Sequence, residues 1–100
     1  MTQDRYTKLA RNQPCQVRLP GCDGGGETTV AAHYRSISLG AGIGIKPQSW
    51  LAAHACAHCH NIVDGRAELP HFGRDAKRLA HAEGVMRTLL ALVHQGEIDL

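Results

Sequence analysis

The sequence predicts a small α+β domain held together by a structural metal ion. Three observations lead there. A chain of 100 residues buries only about 60–65% of its unfolded surface, so its apolar core is marginal without a staple. Large aromatic side chains do not supply one, because Tyr6, Tyr34, Trp50 and Phe72 are all there are. Four cysteines fall in two separated pairs, Cys15 with Cys22 and Cys56 with Cys59, and two such pairs are how small domains clamp a tetrahedral zinc ion.

The chain reads as one domain over residues 1–100, with a motif core at 14–66. Residues 4–12 suit a short polar helix. Across residues 1–18, Arg5, Lys8, Arg11 and Arg18 stand against Asp4 alone, a basic arm that suits phosphate but also suits a solvated terminus. Gln16–Leu19 reads as a short strand, Pro20-Gly21 as a turn and Asp23–Gly26 as a flexible turn. The β-branched run from Thr28 reads as a strand ending near His33. Residues 36–48, with Gly40, Gly42, Gly44 and Pro47, form an irregular loop whose glycine spacing fits neither phosphate-binding fingerprint. A short helix is expected after Cys56, running through Val63. Leu79, Ala82, Met86, Leu89, Leu90 and Val93 recur at helical spacing, so a C-terminal helix over about 75–95 is expected to cover the metal module with that face. Asp75 is its expected N-cap and Gly96 its stop. Gly84 costs such a helix up to ~1 kcal/mol relative to alanine, a cost that close packing on a neighbour offsets.

Composition excludes several classes. No apolar run approaches the ~20 residues of a membrane helix, and the first residues lack the apolar stretch of a secretory signal. A cytoplasmic protein with no membrane partner is expected. Disulfides are disfavoured in that compartment. A thioredoxin-type pair expects a βαβ setting, which the region before Cys56 does not offer. Cys56-Ala57-His58-Cys59-His60 matches the haem-attachment pattern, but haem would leave Cys15 and Cys22 unexplained, so no haem is expected. Zinc accounts for all four thiols, and its binding free energy becomes folding free energy.

Two histidines stand apart from the other five. A helix starting near Cys59 puts His60 and Asp64 at i and i+4 on one face, a pair able to hold a second divalent ion. His33, at a strand end, offers an imidazole of the class that accepts a proton at neutral pH. Either residue alone would suit simple packing or solvent exposure. His54 and His58 read as surface residues of the zinc loops. His71, His81 and His94 lie outside the cysteine module and read as structural.

Taken together, Cys15-Gln-Val-Arg-Leu-Pro-Gly-Cys22, Glu27-Thr-Thr-Val-Ala-Ala-His33, Gly44-Ile-Lys-Pro47, Cys56-Ala-His-Cys59-His60 and Asp64-Gly-Arg66 resemble the HNH (His-Me finger, ββα-metal) nuclease superfamily. The closer resemblance is to the small phage and prophage nuclease-like proteins of the YbcO type. It spans about residues 5–70 and implies a zinc-stapled ββα-metal domain with an added C-terminal helix. It implies a metal-dependent DNA endonuclease with His33 as general base. His60, with Asp64, would hold a catalytic Mg²⁺ or Mn²⁺, and Cys15, Cys22, Cys56 and Cys59 a structural Zn²⁺. Arg18, Arg35, Lys46 and Arg66 are the expected phosphate contacts on DNA.

The sequence departs from the superfamily pattern twice. Ala32 stands where an acidic residue commonly precedes the base, and Gln48-Ser49-Trp50 where an asparagine or aspartate commonly orients it. Ser49 is left as a weak orienting group. These departures motivate the alternative, a non-catalytic zinc module that binds nucleic acid or a phage protein.

Overall fold

A computed structural model describes residues 5–35 and 50–98. Lys46 and Ser49, expected as a phosphate contact and an orienting group, lie outside the described residues, as does the whole of the expected loop at 36–48. The elements are α1 (Arg5–Leu9), β1 (Val30–His33), β2 (Ala52–Ala55), α2 (Ala57–Val63) and α3 (Arg74–His94). This is a small α+β arrangement. β1 and β2 pair antiparallel, with Val30 opposite Ala55 and His33 opposite Ala52. The helix α2 follows β2 after one residue, and α3 packs against β2.

The expected strand at Gln16–Leu19 is not formed. Its backbone groups are used by other partners. The Gln16 N–H donates to the His54 carbonyl at 2.7 Å, while Arg87 donates from Nε to the Gln16 carbonyl at 2.8 Å. Arg18 takes a left-handed conformation, φ 59°, which breaks the extended run and lets Val17 and Leu19 both enter the core. The expected flexible turn at Asp23–Gly26 is instead fastened. Gly25 bridges to Pro14, and a Cβ on it would lie 2.5 Å from the Cys15 nitrogen. Thr29 is taken out of the strand by the same turn, because its hydroxyl donates to the Gln13 carbonyl at 2.7 Å and accepts from the Gly26 N–H.

The strand β2 was not legible as a strand, being Ala-Ala-His-Ala. All four of its residues are buried. His54 is therefore no surface residue: it is buried, and burial lowers its pKa below the ordinary imidazole value. The outer edge of β2 is closed by side chains from α3. The His54 N–H donates to Thr88 Oγ1 at 2.9 Å, and the Thr88 hydroxyl donates in turn to the Gly84 carbonyl at 2.8 Å.

Helix α3 forms within a residue of its expected bounds, but it begins from Gly73 rather than from Asp75, which sits in its first turn. The larger correction is the face it buries. Leu79, Met86 and Leu90 are 60%, 56% and 61% exposed, whereas Gly84, Val85, Thr88 and Leu92 face inward. Gly84 is the reason. A Cβ there would lie 3.1 Å from Ala53 Cβ and from Val17 Cγ2, so the helix axis approaches β2 at the one residue without a side chain. The helix ends as expected. Gly96 at φ 76° sends its N–H to the Val93 carbonyl while Glu97 reaches the Leu92 carbonyl, a closed C-terminal motif.

Two further bonds tie α3 to β1. His81 Nε2 donates to the Ala32 carbonyl at 2.8 Å, which fixes its proton on Nε2. Arg78 donates to the Tyr34 hydroxyl at 3.1 Å and stacks over the ring at 4.9 Å. These bonds flank His33 on both sides. Burial, with Arg78 nearby, holds the His81 pKa below its ordinary value of 6.5 despite its bond to Ala32.

Two outcomes test this packing. Thr88→Val keeps the shape and removes the hydroxyl, leaving the buried His54 N–H without a partner. It should cost about 1–3 kcal/mol in urea denaturation. The lowered His81 pKa means that the unfolded chain takes up a proton near pH 6.5 that the folded chain resists. Stability is then complete above that pH and falls as the pH drops below it. Unfolding free energies measured at about pH 7.5 and about pH 5.5 should differ less for His81→Gln than for the parent protein.

Candidate metal centre and adjoining cleft

Three segments bring the cysteines together. Cys15 leaves the fastened 12–15 segment, Cys22 follows the Pro20-Gly21 turn, and Cys56 and Cys59 sit at the N-terminus of α2. Their four sulfurs all lie within 4.8 Å of one another. The Cys22 and Cys56 sulfurs are 3.8 Å apart, and tetrahedral zinc with bonds of about 2.3 Å requires an S···S separation of about 3.8 Å. The four thiols can thus hold a structural metal ion such as zinc.

Backbone groups are already turned to these sulfurs. Cys56 is the N-cap of α2, and its Sγ accepts from the Cys59 N–H at 3.5 Å. Cys22 Sγ accepts from the Gly24 N–H at 3.3 Å. Burial opposes the Cys15 thiolate, but N–H groups of Arg18, Cys56 and Val17 outweigh it and hold that thiol below its ordinary pKa. Burial and the neighbouring sulfurs push Cys22 and Cys59 upward. A group of thiols so crowded resists ionising together unless a cation sits among them. His58 joins the two halves of the site. Its Nε2–H donates to the Pro20 carbonyl at 2.8 Å, and a Cβ on Gly21 would meet that ring at 2.6 Å.

One turn along α2, His60 and Asp64 share a face, with His60 Nε2 3.8 Å from Asp64 Oδ2. Arg66 returns to this pair because Gly65, at φ 82°, closes α2 with its N–H on the Ile62 carbonyl and the Arg66 N–H on the Asn61 carbonyl. One guanidinium nitrogen of Arg66 then lies 3.2 Å from His60 Nδ1 and 2.9 Å from Asp64 Oδ2. The imidazole nitrogen and the carboxylate oxygen converge on a single positive charge. Burial lowers the His60 pKa, Asp64 raises it, and Arg66 and His33 lower it further. The ring is therefore biased toward the neutral form that binds cations.

His60 also lines a cleft of about 470 Å³ with Lys8, Arg11, Glu27, Val30 and Ala31. His33 is half-buried at the end of β1 and lies two residues from Ala31, on the same face of the strand. Ala32 points the other way, into the core. A carboxylate at position 32 would be buried among Val17, Ala53 and Ala55 rather than turned to the cleft.

Comparison with known proteins supplies the family. The family described as "Putative nuclease YbcO" matches residues 4–97. The chain belongs to the YbcO family. The "Putative nuclease YbcO" of Escherichia coli strain K12 is 42% identical over 92 residues, which cover 91% of this chain and 93% of that one. A relative of the same description in Enterobacteria phage 82 matches equally. Among solved structures, a "putative bacteriophage protein" from E. coli K-12 superposes with a TM-score of 0.73 at 35% identity, covering 91% of this chain and 99% of that one. No helix among the described residues is long and apolar enough to cross a membrane.

Within this YbcO fold the residues named from sequence separate into groups. The four cysteines come together, as do His60 and Asp64. Arg66 joins that second pair directly. Arg18 turns back to Gln16 Oε1 at 3.0 Å, and Arg35 is exposed. Glu27, Lys8 and Arg11 share the cleft with His60. The signal for Glu27 was its place in the Glu27–His33 segment. No sequence signal placed His81 and Arg78 beside His33.

Zinc at one ion per chain is the expected metal content by elemental analysis. Stripping it with a chelator should unfold the protein, because structural zinc contributes roughly 10–16 kcal/mol against a total stability of about 5–15 kcal/mol. A fully folded, metal-free chain by circular dichroism would contradict this.

Proposed function

We propose that this YbcO-family chain is a metal-dependent endonuclease that hydrolyses DNA phosphodiester bonds. Its relatives carry the description "Putative nuclease", and the strand–strand–helix order of β1, β2 and α2 supports the reading of a ββα-metal finger. The observation that carries the reading is the pairing of His60 Nδ1 with Asp64 Oδ2 around one positive charge, beside a cleft that His33's strand face adjoins. That donor set fits a divalent ion. Mg²⁺ is commonly held by one or two protein carboxylates together with substrate phosphate, and neutral imidazole suits Mn²⁺ as well.

His60 and Asp64 would hold the ion, which supplies positive charge to the phosphate oxygens as negative charge builds there. His33 accepts the proton of the attacking water. The water oxygen bonds to phosphorus, the P–O3′ bond breaks, and the leaving oxygen takes a proton from solvent. Lys8 and Arg11 line the cleft where the backbone would enter. Arg66 has two positions in this scheme. Its charge substitutes for the ion at His60 and Asp64, and once displaced its planar fork is free for phosphate. Ala32, being turned to the core, leaves Glu27 as the carboxylate in the cleft lining.

Supercoiled plasmid incubated with zinc-loaded protein and Mg²⁺ or Mn²⁺ tests the reading. Nicking is expected, with His33→Ala slower by roughly 10²–10⁴-fold, the usual contribution of a general base. Salt-sensitive DNA binding without nicking under any metal condition would favour the non-catalytic zinc module instead.

A further inference from the structure

A second cavity, of about 220 Å³, lies between the C-terminal end of α2 and the first turns of α3. Ile62 and Val63 line it from α2, and Arg74, Lys77, Arg78 and His81 from α3. The α3 residues are spaced three and four apart, so they form one ladder on one helix face. Three formal positive charges face this space, and no carboxylate lines it. Like charges at such spacing destabilise a helix by a few tenths of a kcal/mol per pair, roughly 0.2–0.5, unless an anion neutralises them.

Two of these three cations have no polar partner among the described residues. Arg74 and Lys77 make no side-chain hydrogen bond or ion pair with any described residue. Arg78 is held in place by stacking on Tyr34 and by its bond to the Tyr34 hydroxyl. His81 packs edge-on against the same ring at 5.0 Å. Asp64, at the C-cap of α2, is engaged by Arg66. The location matters as much as the charge. Tyr34 directly follows His33, His81 bonds the carbonyl just before His33, and the opposite wall belongs to the helix that carries His60 and Asp64. The cavity therefore adjoins the proposed cleavage site, and its lining shares no residue with the cleft that Lys8 and Arg11 line.

We propose that this cavity is a second backbone subsite, in which Arg74, Lys77 and Arg78 hold a phosphodiester group flanking the one that is cleaved. The inference rests on the nuclease reading above and extends it, because it gives the nucleic acid a track from the Lys8–Arg11 side of the site to the α3 side. Phosphate contacts of this kind position a duplex without reading its sequence. Lys77 acts as a point charge, and the two arginines offer planar forks.

Binding of a fluorescently labelled DNA duplex to the zinc-loaded full-length chain tests the subsite, without added Mg²⁺ or Mn²⁺ so that no turnover intervenes. The affinity is followed across a range of salt concentrations. The double variant R74Q/K77Q should lower the slope of log K against log salt by about 2, since each phosphate contact contributes about 0.9. The charge-preserving R74K/K77R should keep the parent slope. An unchanged slope and affinity in R74Q/K77Q, with plasmid nicking by the parent protein intact, overturns the subsite and leaves the nuclease reading standing. A parent protein that neither binds DNA nor nicks it removes both. Inorganic phosphate is the third arm. If R74Q/K77Q loses binding of inorganic phosphate but binds duplex as the parent does, the cavity is a site for free phosphate and the proposal is wrong.

Discussion

Four sulfurs within 4.8 Å are the constraint on which the rest of the structure depends. Among the described residues, the largest fully buried side chains are Ile62, Leu92, Val17 and Thr88, and no aromatic ring is among them. Such a core leaves little margin for a chain of this length. A metal ion held among the thiols would join the 15–22 segment to the start of α2. Cys56 is at once one of the four thiols that can hold the ion and the N-cap of that helix. The direction in which α2 leaves the metal centre sets where His60 and Asp64 stand. Metal staple, helix start and candidate site are thus one continuous piece of chain.

Polar bonds do the second part of the positioning. The helix α3 meets β2 at a glycine and a threonine rather than at a leucine stripe, and Arg87 fastens the segment that carries Val17. From the same helix, His81 and Arg78 hold the backbone and side chain on either side of His33. A short two-stranded sheet is marginally stable alone. Here its edge and its His33 end are both fixed from α3, which gives the end of β1 a defined place beside α2.

The legibility of the sequence follows from the range of each interaction. Cysteine spacing, the i and i+4 relation of His60 and Asp64, and the Gly96 stop are local signals, and the structure places those residues together or in those positions. Helix α3 was legible in extent but not in orientation, because hydrophobic periodicity pointed to Leu79, Met86 and Leu90 while close approach at Gly84 decided the buried face. Strand β2 was hidden by its alanines, which carry little strand preference and become a strand through burial. The Gln16–Leu19 strand failed because long-range bonds from His54 and Arg87 claimed its backbone. At the site, the convergence of Arg66 on His60 and Asp64 depends on the Gly65 turn, and the facing of Arg74, Lys77 and Arg78 toward Ile62 and Val63 depends on how α3 lies against α2. Neither relation is written in spacing along the chain. Ala32 looked like a lost carboxylate in sequence. In the fold it is a core residue, and Glu27 supplies the cleft's carboxylate from another segment.

The central claim is that this four-cysteine frame offers a divalent ion one imidazole from α2 and one carboxylate from its C-cap. Pulsed electron paramagnetic resonance of Mn²⁺ added to the zinc-loaded protein reads this directly. The expected result is a single directly bound imidazole nitrogen, lost in His60→Gln and retained in His33→Ala. Mn²⁺ that shows only water and phosphate couplings, or an imidazole coupling that survives His60→Gln, would contradict it.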